Sequence, residues 1–172
     1  MKLFFLPILF LFFPLALVAQ ATDLISAARA GDTATIRTLL HNKADVNAQD
    51  QKGFTPFIIA VYGGHTAAAE QLLQAGAQVN HQDATGNTAL MGAAFKGYSE
   101  LAKLLLEHGA EANLQNGNGG TALMFATMFG RNELVKILLE NGADKTVKDE
   151  RNFTALDLAK QQGNQEAVIL LQ

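Results

Sequence analysis

The stretch DATGNTALMGAAFKGYSELAKLLLEHGAEANLQ, Asp83 to Gln115, can be laid without a gap on DQKGFTPFIIAVYGGHTAAAEQLLQAGAQVNHQ, Asp50 to Gln82. It lies equally well on NGNGGTALMFATMFGRNELVKILLENGADKTVK, Asn116 to Lys148, and each of the three is 33 residues long. From Asp149 the pattern begins a further, truncated copy, DERNFTALDLAKQQGNQEAVILLQ, and TDLISAARAGDTATIRTLLHNKADVNAQ from Thr22 is a copy lacking its first few residues. Self-similarity at such a period is the mark of supersecondary units stacked side by side, none of which buries its apolar face alone.

The columns of this alignment have physical meanings. Thr22, Thr55, Thr88, Thr121 and Thr154 precede apolar periodic runs, so their hydroxyls are expected to accept from the free N–H groups at helix starts. Pro56 stands at the first helical position, where its missing N–H does no harm. Gly31, Gly64, Gly97, Gly130 and Gly163 are placed to end that short helix in a left-handed turn. A second helix follows, carrying Leu39-Leu40, Leu72-Leu73, Leu105-Leu106 and Leu138-Leu139, and Gly76, Gly109 and Gly142 stop it. Gly53, Gly86 and Gly119 mark tight turns that need positive φ, and Asn152 takes that place in the last copy. One unit therefore reads as helix, turn, helix and β-turn finger, and the chain as an all-α repeat solenoid.

This pattern resembles the ankyrin repeat. GFTPFIIAVYGGHTAAAEQLLQAGAQVN follows the family's G-x-T-P-L-H-x-A-A-x-x-G-H…L-L…G-A…N closely, and the likeness covers Thr22 to Gln172. The family's His after T-P-L is replaced by Ile25, Ile58, Met91, Met124 and Asp157, and Lys43 stands where the first long helix would meet a Gly. Apolar contacts are therefore expected where the family uses imidazole hydrogen bonds. The expected organisation is a leader over residues 1–21 and an ankyrin-like domain over 22–172. Within it, a capping unit spans 22–49, full units span 50–82, 83–115 and 116–148, and a second capping unit spans 149–172.

Inside the stack, Ala27-Ala28, Ala93-Ala94 and Ala155/Ala159 keep the short helices slim. Met91, Met124 and Phe125 are assigned to the core, with the Phe125 ring filling the space left by Gly92 in the same column. The end units carry Asp32, Thr33, Thr35, Arg37 and Thr38 at one end and Asp157, Lys160, Gln161, Gln162, Gln165 and Gln172 at the other. These read as polar caps of a complete array.

The resemblance implies that the ends of the short helices and the fingers line a concave face. The columns there read Arg29, Tyr62, Phe95, Met128, Gln161, then Ala30, Gly63, Lys96, Phe129, Gln162, and, after the turn glycine, Phe54, Asn87, Gly120, Phe153. Aromatics beside cations on a wet face suit a protein-binding surface. The expected partner-binding residues are Phe54, Tyr62, Phe95, Lys96, Met128, Phe129 and Phe153, with Arg29, Lys52 and Arg151 around them to meet acidic groups.

Other chemistry has little to stand on. His41, His65, His81 and His108 fall in four different columns, and His65 belongs to a structural one, so no metal site and no cofactor is expected. No nucleophile elbow, phosphate loop or H-E-x-x-H motif occurs, and NGNGG (Asn116 to Gly120) reads as a turn. Asn152-Phe153-Thr154 is a glycosylation sequon that matters only in a eukaryotic secretory route. MKLFFLPILFLFFPLALVAQA, residues 1–21, has the basic start, apolar run and A-x-A site of a secretory signal peptide, the rival being an uncleaved anchor. Cleavage after Ala21 would leave 12 basic residues, 13 less Lys2, against 16 acidic, a balance opposed to nucleic-acid binding. The absence of Cys excludes disulfides and thiolate metal sites. The sequence thus points to a non-catalytic, periplasmic or secreted module, monomeric until it binds another protein. It would mask, inhibit or stabilise that protein. The alternative is a metal- or ligand-binding protein or enzyme built on the scattered His and Asp residues.

Overall fold

The computed structural model describes residues 23–172; the leader, its cleavage point and the Thr22 cap lie outside them. The described residues form ten helices: α1 (23–30), α2 (Thr33–His41), α3 (Pro56–Tyr62), α4 (Thr66–Gln74), α5 (Ala89–Lys96), α6 (Ser99–Glu107), α7 (Ala122–Met128), α8 (Asn132–Glu140), α9 (Ala155–Gln161) and α10 (Gln165–Leu171). Each odd-numbered helix from α3 onward packs against the helix that follows it. It also packs against the next odd-numbered helix, so α3, α5, α7 and α9 form an inner row. In the outer layer α2 meets α4, and α8 lies between α6 and α10.

The inner helices start as the threonine column requires. Thr55, Thr88, Thr121 and Thr154 each accept from the N–H three residues on, at 3.2, 3.2, 3.4 and 3.2 Å. In the last of them Asp157 also accepts from the Thr154 N–H and hydroxyl at 3.0 and 2.7 Å, closing a capping box. Ile58, Met91 and Met124, which stand in the family's His column, are 1–3 % exposed and join one continuous core. Ala28, Ala60, Ala93, Ala94, Ala126 and Ala159 are fully buried, which lets neighbouring inner helices approach closely.

The outer helices begin in two ways. At the ends of the stack, Asp32 caps α2 through the N–H groups of Ala34 and Thr35, and Asn164 caps α10 through that of Ala167. In between, His65, Tyr98 and Arg131 occupy the cap position and make no capping hydrogen bond. Their side chains instead reach back over Gly31, Gly64 and Gly97 of the preceding unit, where a Cβ would come within 2.6–3.0 Å of them. A local hydrogen bond is exchanged for contact between units.

Side-chain amides tie the long connections together. Asn47, Asn80 and Asn113 each donate to the carbonyl of Gly76, Gly109 or Gly142 in the next unit and accept from the N–H of Gln78, Glu111 or Asp144. At the finger tips, the N–H groups of Ala84, Gly117 and Glu150 donate to the carbonyls of Lys52, Thr85 and Asn118 one finger back, at 2.9, 2.9 and 3.1 Å. Gly53, Gly86 and Gly119 stand at this crossing with φ of 75–82°, and any Cβ would come within 3.0 Å of the next finger's backbone. Both the torsion and the clearance demand glycine. Asn152, in the last finger with no neighbour beyond it among the described residues, holds φ at 64°.

The structure departs from expectation in two places. Phe125 is half-buried rather than fully interior, and the space beside Gly92 is filled by the Tyr62 ring, not by Phe125. The last unit does expose Lys160, Gln161, Gln162 and Gln165, yet it also exposes Ile169, at 73 %. Lys43 is forced to the positive φ, 61°, that its column reserves for glycine. It ends α2 by donating its N–H to Leu40, while the Ala44 N–H donates to Leu39. A left-handed non-glycine residue costs about 1–2 kcal/mol. Lys43→Gly is accordingly expected to raise the melting temperature, by a stability gain of up to about 1 kcal/mol after the greater unfolded-state entropy of glycine is allowed for. Thermal unfolding of the two proteins side by side checks this.

Candidate functional site

The ends of the inner helices and the faces of the fingers together form a groove. Its floor is the column Ile59, Gly92, Phe125 and Leu158, one residue from each of α3, α5, α7 and α9. The column three residues further on, Tyr62, Phe95 and Met128, lies on the same helix faces, and Arg29 continues it in α1. What each of these side chains does depends on the floor residue of the unit after it.

Arg29 meets Ile59, and the two line a cavity of about 270 Å³ with Phe54, Tyr62 and Gly63. Tyr62 finds no side chain at Gly92 and lies over it: a Cβ there would be 2.6 Å from the ring. The ring is half-buried, edge-on to Phe54 at 6.1 Å between centroids. Burial, and then the Asp83 carboxylate, push its phenol above the usual tyrosine range. Phe95 has no such gap ahead of it, because the next unit supplies Phe125. Its half-buried ring stands edge-on to Phe129, with centroids 4.5 Å apart and planes at 83°. Lys96 lies 5.5 Å from the Phe95 centroid. Met128 and Leu158 share a further cavity of about 400 Å³, with Met124 and Phe125 on its floor and Asn116, Asn118, Glu150 and Arg151 on its rim. Gly120 opens that cavity, since its column carries Phe54, Asn87 and Phe153 in the other units. Phe153 is half-buried beneath Arg151, whose guanidinium lies 5.3 Å from its centroid and is itself paired with Asp149 at 2.8 Å.

The sequence-derived stripe is therefore a set of small groupings. Tyr62 and Phe54 are half-buried against each other, and Phe153 is half-buried beneath an exposed Arg151. Phe129 and Met128 remain open, at 41 % and 38 % exposure, with Phe95 partly so beside them. Ile59 and Phe125 were missing from the expected site. The signal for both was their helical spacing, three residues before Tyr62 and Met128, which puts each pair on one face.

Three of the four histidines serve the scaffold, while His41 is exposed at the end of α2. His65 Nε2–H donates to the Arg29 carbonyl at 3.1 Å, His81 Nε2–H to that of Gly53 at 3.1 Å, and His108 Nδ1–H to that of Leu104 at 2.8 Å. Among the described residues no three His, Asp or Glu side chains gather to hold a metal ion. None of the described helices is long and apolar enough to cross a membrane.

The fit of Tyr62 over Gly92 can be measured as a coupling. Gly92→Ala is expected to destabilise the protein by displacing the ring, by about 1–3 kcal/mol. In a Tyr62→Ala background the same substitution should cost much less. Equal costs in both backgrounds, measured by denaturant unfolding, would show that the ring does not lean into the gap.

A family model described as ankyrin repeats (3 copies) matches residues 24–116 and again residues 96–172. No curated protein matches the chain. With capped inner helices, outer helices and interlocked fingers recurring every 33 residues across the matched span, the chain belongs to the ankyrin-repeat family.

Proposed function

We propose that this protein is an exported, non-catalytic docking module that grips another protein in the groove between its inner helices and its fingers. Ankyrin repeats are in general protein–protein interaction modules. The observation that carries the reading here is the open edge-to-face pair Phe95–Phe129 with Met128 beside it and Lys96 over the ring. A rigid aromatic pair costs little side-chain entropy on binding, and its exposed edge gains when water is excluded. Covering a groove of this kind buries on the order of 1,200–2,000 Å² in total.

In this reading the apolar leader over residues 1–21 acts as a signal peptide, and the mature protein works in the periplasm or outside the cell, monomeric until it meets its target. There it masks, inhibits or stabilises an exported protein. Tyr62, Phe54 and Phe153 shape the walls of the groove, and Phe95, Lys96, Met128 and Phe129 make the contact.

The test is capture of the partner from periplasmic extract by the tagged protein, with the captured protein identified and then titrated. Phe95→Ala with Phe129→Ala is expected to weaken binding by at least about thirtyfold, as loss of a binding hot spot does, while circular dichroism and the melting curve remain those of a folded stack. Undiminished binding by the double variant would contradict the reading.

A further inference from the structure

Over the first three units the charges that face the groove are sorted by sign, whereas further along the exposed Glu150 stands on the rim. Carboxylates at the base of the fingers are held by their own turns. Asp50 Oδ1 accepts from the N–H groups of Lys52 and Phe54 at 2.8 and 3.0 Å, and Asp83 Oδ1 from those of Thr85 and Asn87 at 2.8 and 2.9 Å. Asp149 does the same for Arg151 and Phe153, and its other oxygen pairs with the Arg151 guanidinium. Asp157 is taken up by the Thr154 cap. Arg151 is thus paired, but the other cations around the groove have no such internal partners. Among the described residues the ion pairs are Lys103–Glu100 and Arg151–Asp149, which leaves Arg29, Lys52 and Lys96 exposed and unpaired. In a chain of net charge −3, the first three units thus turn a positive edge toward the groove.

Two of these cations converge on an apolar seat. Arg29 and Lys52 line a cavity of about 320 Å³ whose floor is Phe54 and Ile59. Asp50 lines it too, so the balance there is two cations to one carboxylate, and that carboxylate is already engaged by two N–H groups. Through Arg29, Phe54 and Ile59 this cavity runs on into the one walled by Tyr62.

We infer that this end of the groove is the seat of an acidic protein segment. An apolar side chain of the segment enters over Ile59 between Phe54 and Tyr62, and carboxylates flanking it meet Arg29 and Lys52. The inference rests on the docking role proposed above and adds the chemistry of the partner. A guanidinium offers a carboxylate two parallel N–H bonds. An apolar floor beneath it rewards a side chain that a free anion or a sugar–phosphate strand does not have. The excess negative charge of the whole chain also disfavours a polyanion, while a short acidic segment meets only the local positive edge.

The experiment is selection of random dodecapeptides displayed on phage against the wild-type protein at low salt. Synthetic labelled copies of the enriched peptides are then titrated by fluorescence anisotropy. Enriched peptides are expected to carry net negative charge around a Leu, Ile or Phe. Their affinity should fall at least about tenfold for Arg29→Gln with Lys52→Gln, and the wild-type affinity should weaken as salt rises from about 0.05 to about 0.5 M far more than that of the variant. The charge-reversed pair, Arg29→Glu with Lys52→Glu, should select basic peptides instead. Melting curves establish that both variants are folded. Neutral or basic peptides that bind the wild type and lose binding in the Phe95→Ala, Phe129→Ala protein would overturn this inference and leave the docking role standing. Acidic peptides indifferent to the Arg29 and Lys52 substitutions would overturn it as well. Failure to enrich any peptide that depends on either set of residues would overturn both.

Discussion

A helix of seven or eight residues does not hold itself together in water, and the inner helices of this protein are that short. They persist because they pack side by side in a row, with fully buried alanines along it and Ile58, Met91 and Met124 buried in the core that runs through the units. That lateral burial is the constraint on which the rest depends. It sets the spacing at which an asparagine amide spans to the next unit's glycine carbonyl and at which one finger's N–H finds the preceding finger's carbonyl. It also explains why three outer helices forgo a capping side chain. His65, Tyr98 and Arg131 each cover a glycine of the preceding unit in place of capping an N–H.

The groove inherits this geometry. Side chains at the ends of the inner helices lean across the unit boundary, so the residue they meet decides whether they become wall or contact. Tyr62 meets a glycine and sinks; Phe95 meets an occupied position and rises against Phe129; Met128 meets Leu158 across a gap that Gly120 leaves unfilled. A repeating scaffold thereby produces a non-repeating surface by varying two columns. The electrostatics vary along the same row: Asp50, Asp83 and Asp149 are taken up by the N–H groups of their own finger turns, Asn116 does the same without a charge, and Arg29, Lys52 and Lys96 face outward unpaired.

Most of the scaffold was legible in the sequence because it rests on local rules that recur. A threonine before an apolar run, a glycine at a left-handed end and a period kept without gaps all report backbone requirements, and Asn152 and Lys43 could be recognised as exceptions for the same reason. The groove was legible only in part. That Phe95, Phe129 and Met128 stand toward solvent followed from their register. The occupant of the Gly92 space did not, because column comparison shows which residues are equivalent and not which way a side chain leans. Phe125 was the equivalent residue and Tyr62 the neighbouring one. The exposure of Ile169 was likewise hidden, since a polar cap reads as a composition and the outward face of α10 is a matter of helix phase.

The claim that burial between units holds the whole stack is tested most directly at Met91, 2 % exposed on the central inner helix. Its replacement by Ala should lower the unfolding free energy by about 2–5 kcal/mol. Amide hydrogen exchange should quicken in α3 and α7 on either side as well as in α5, because each inner helix is held by its neighbours. An unchanged unfolding midpoint, or loss of protection confined to α5, would contradict the account.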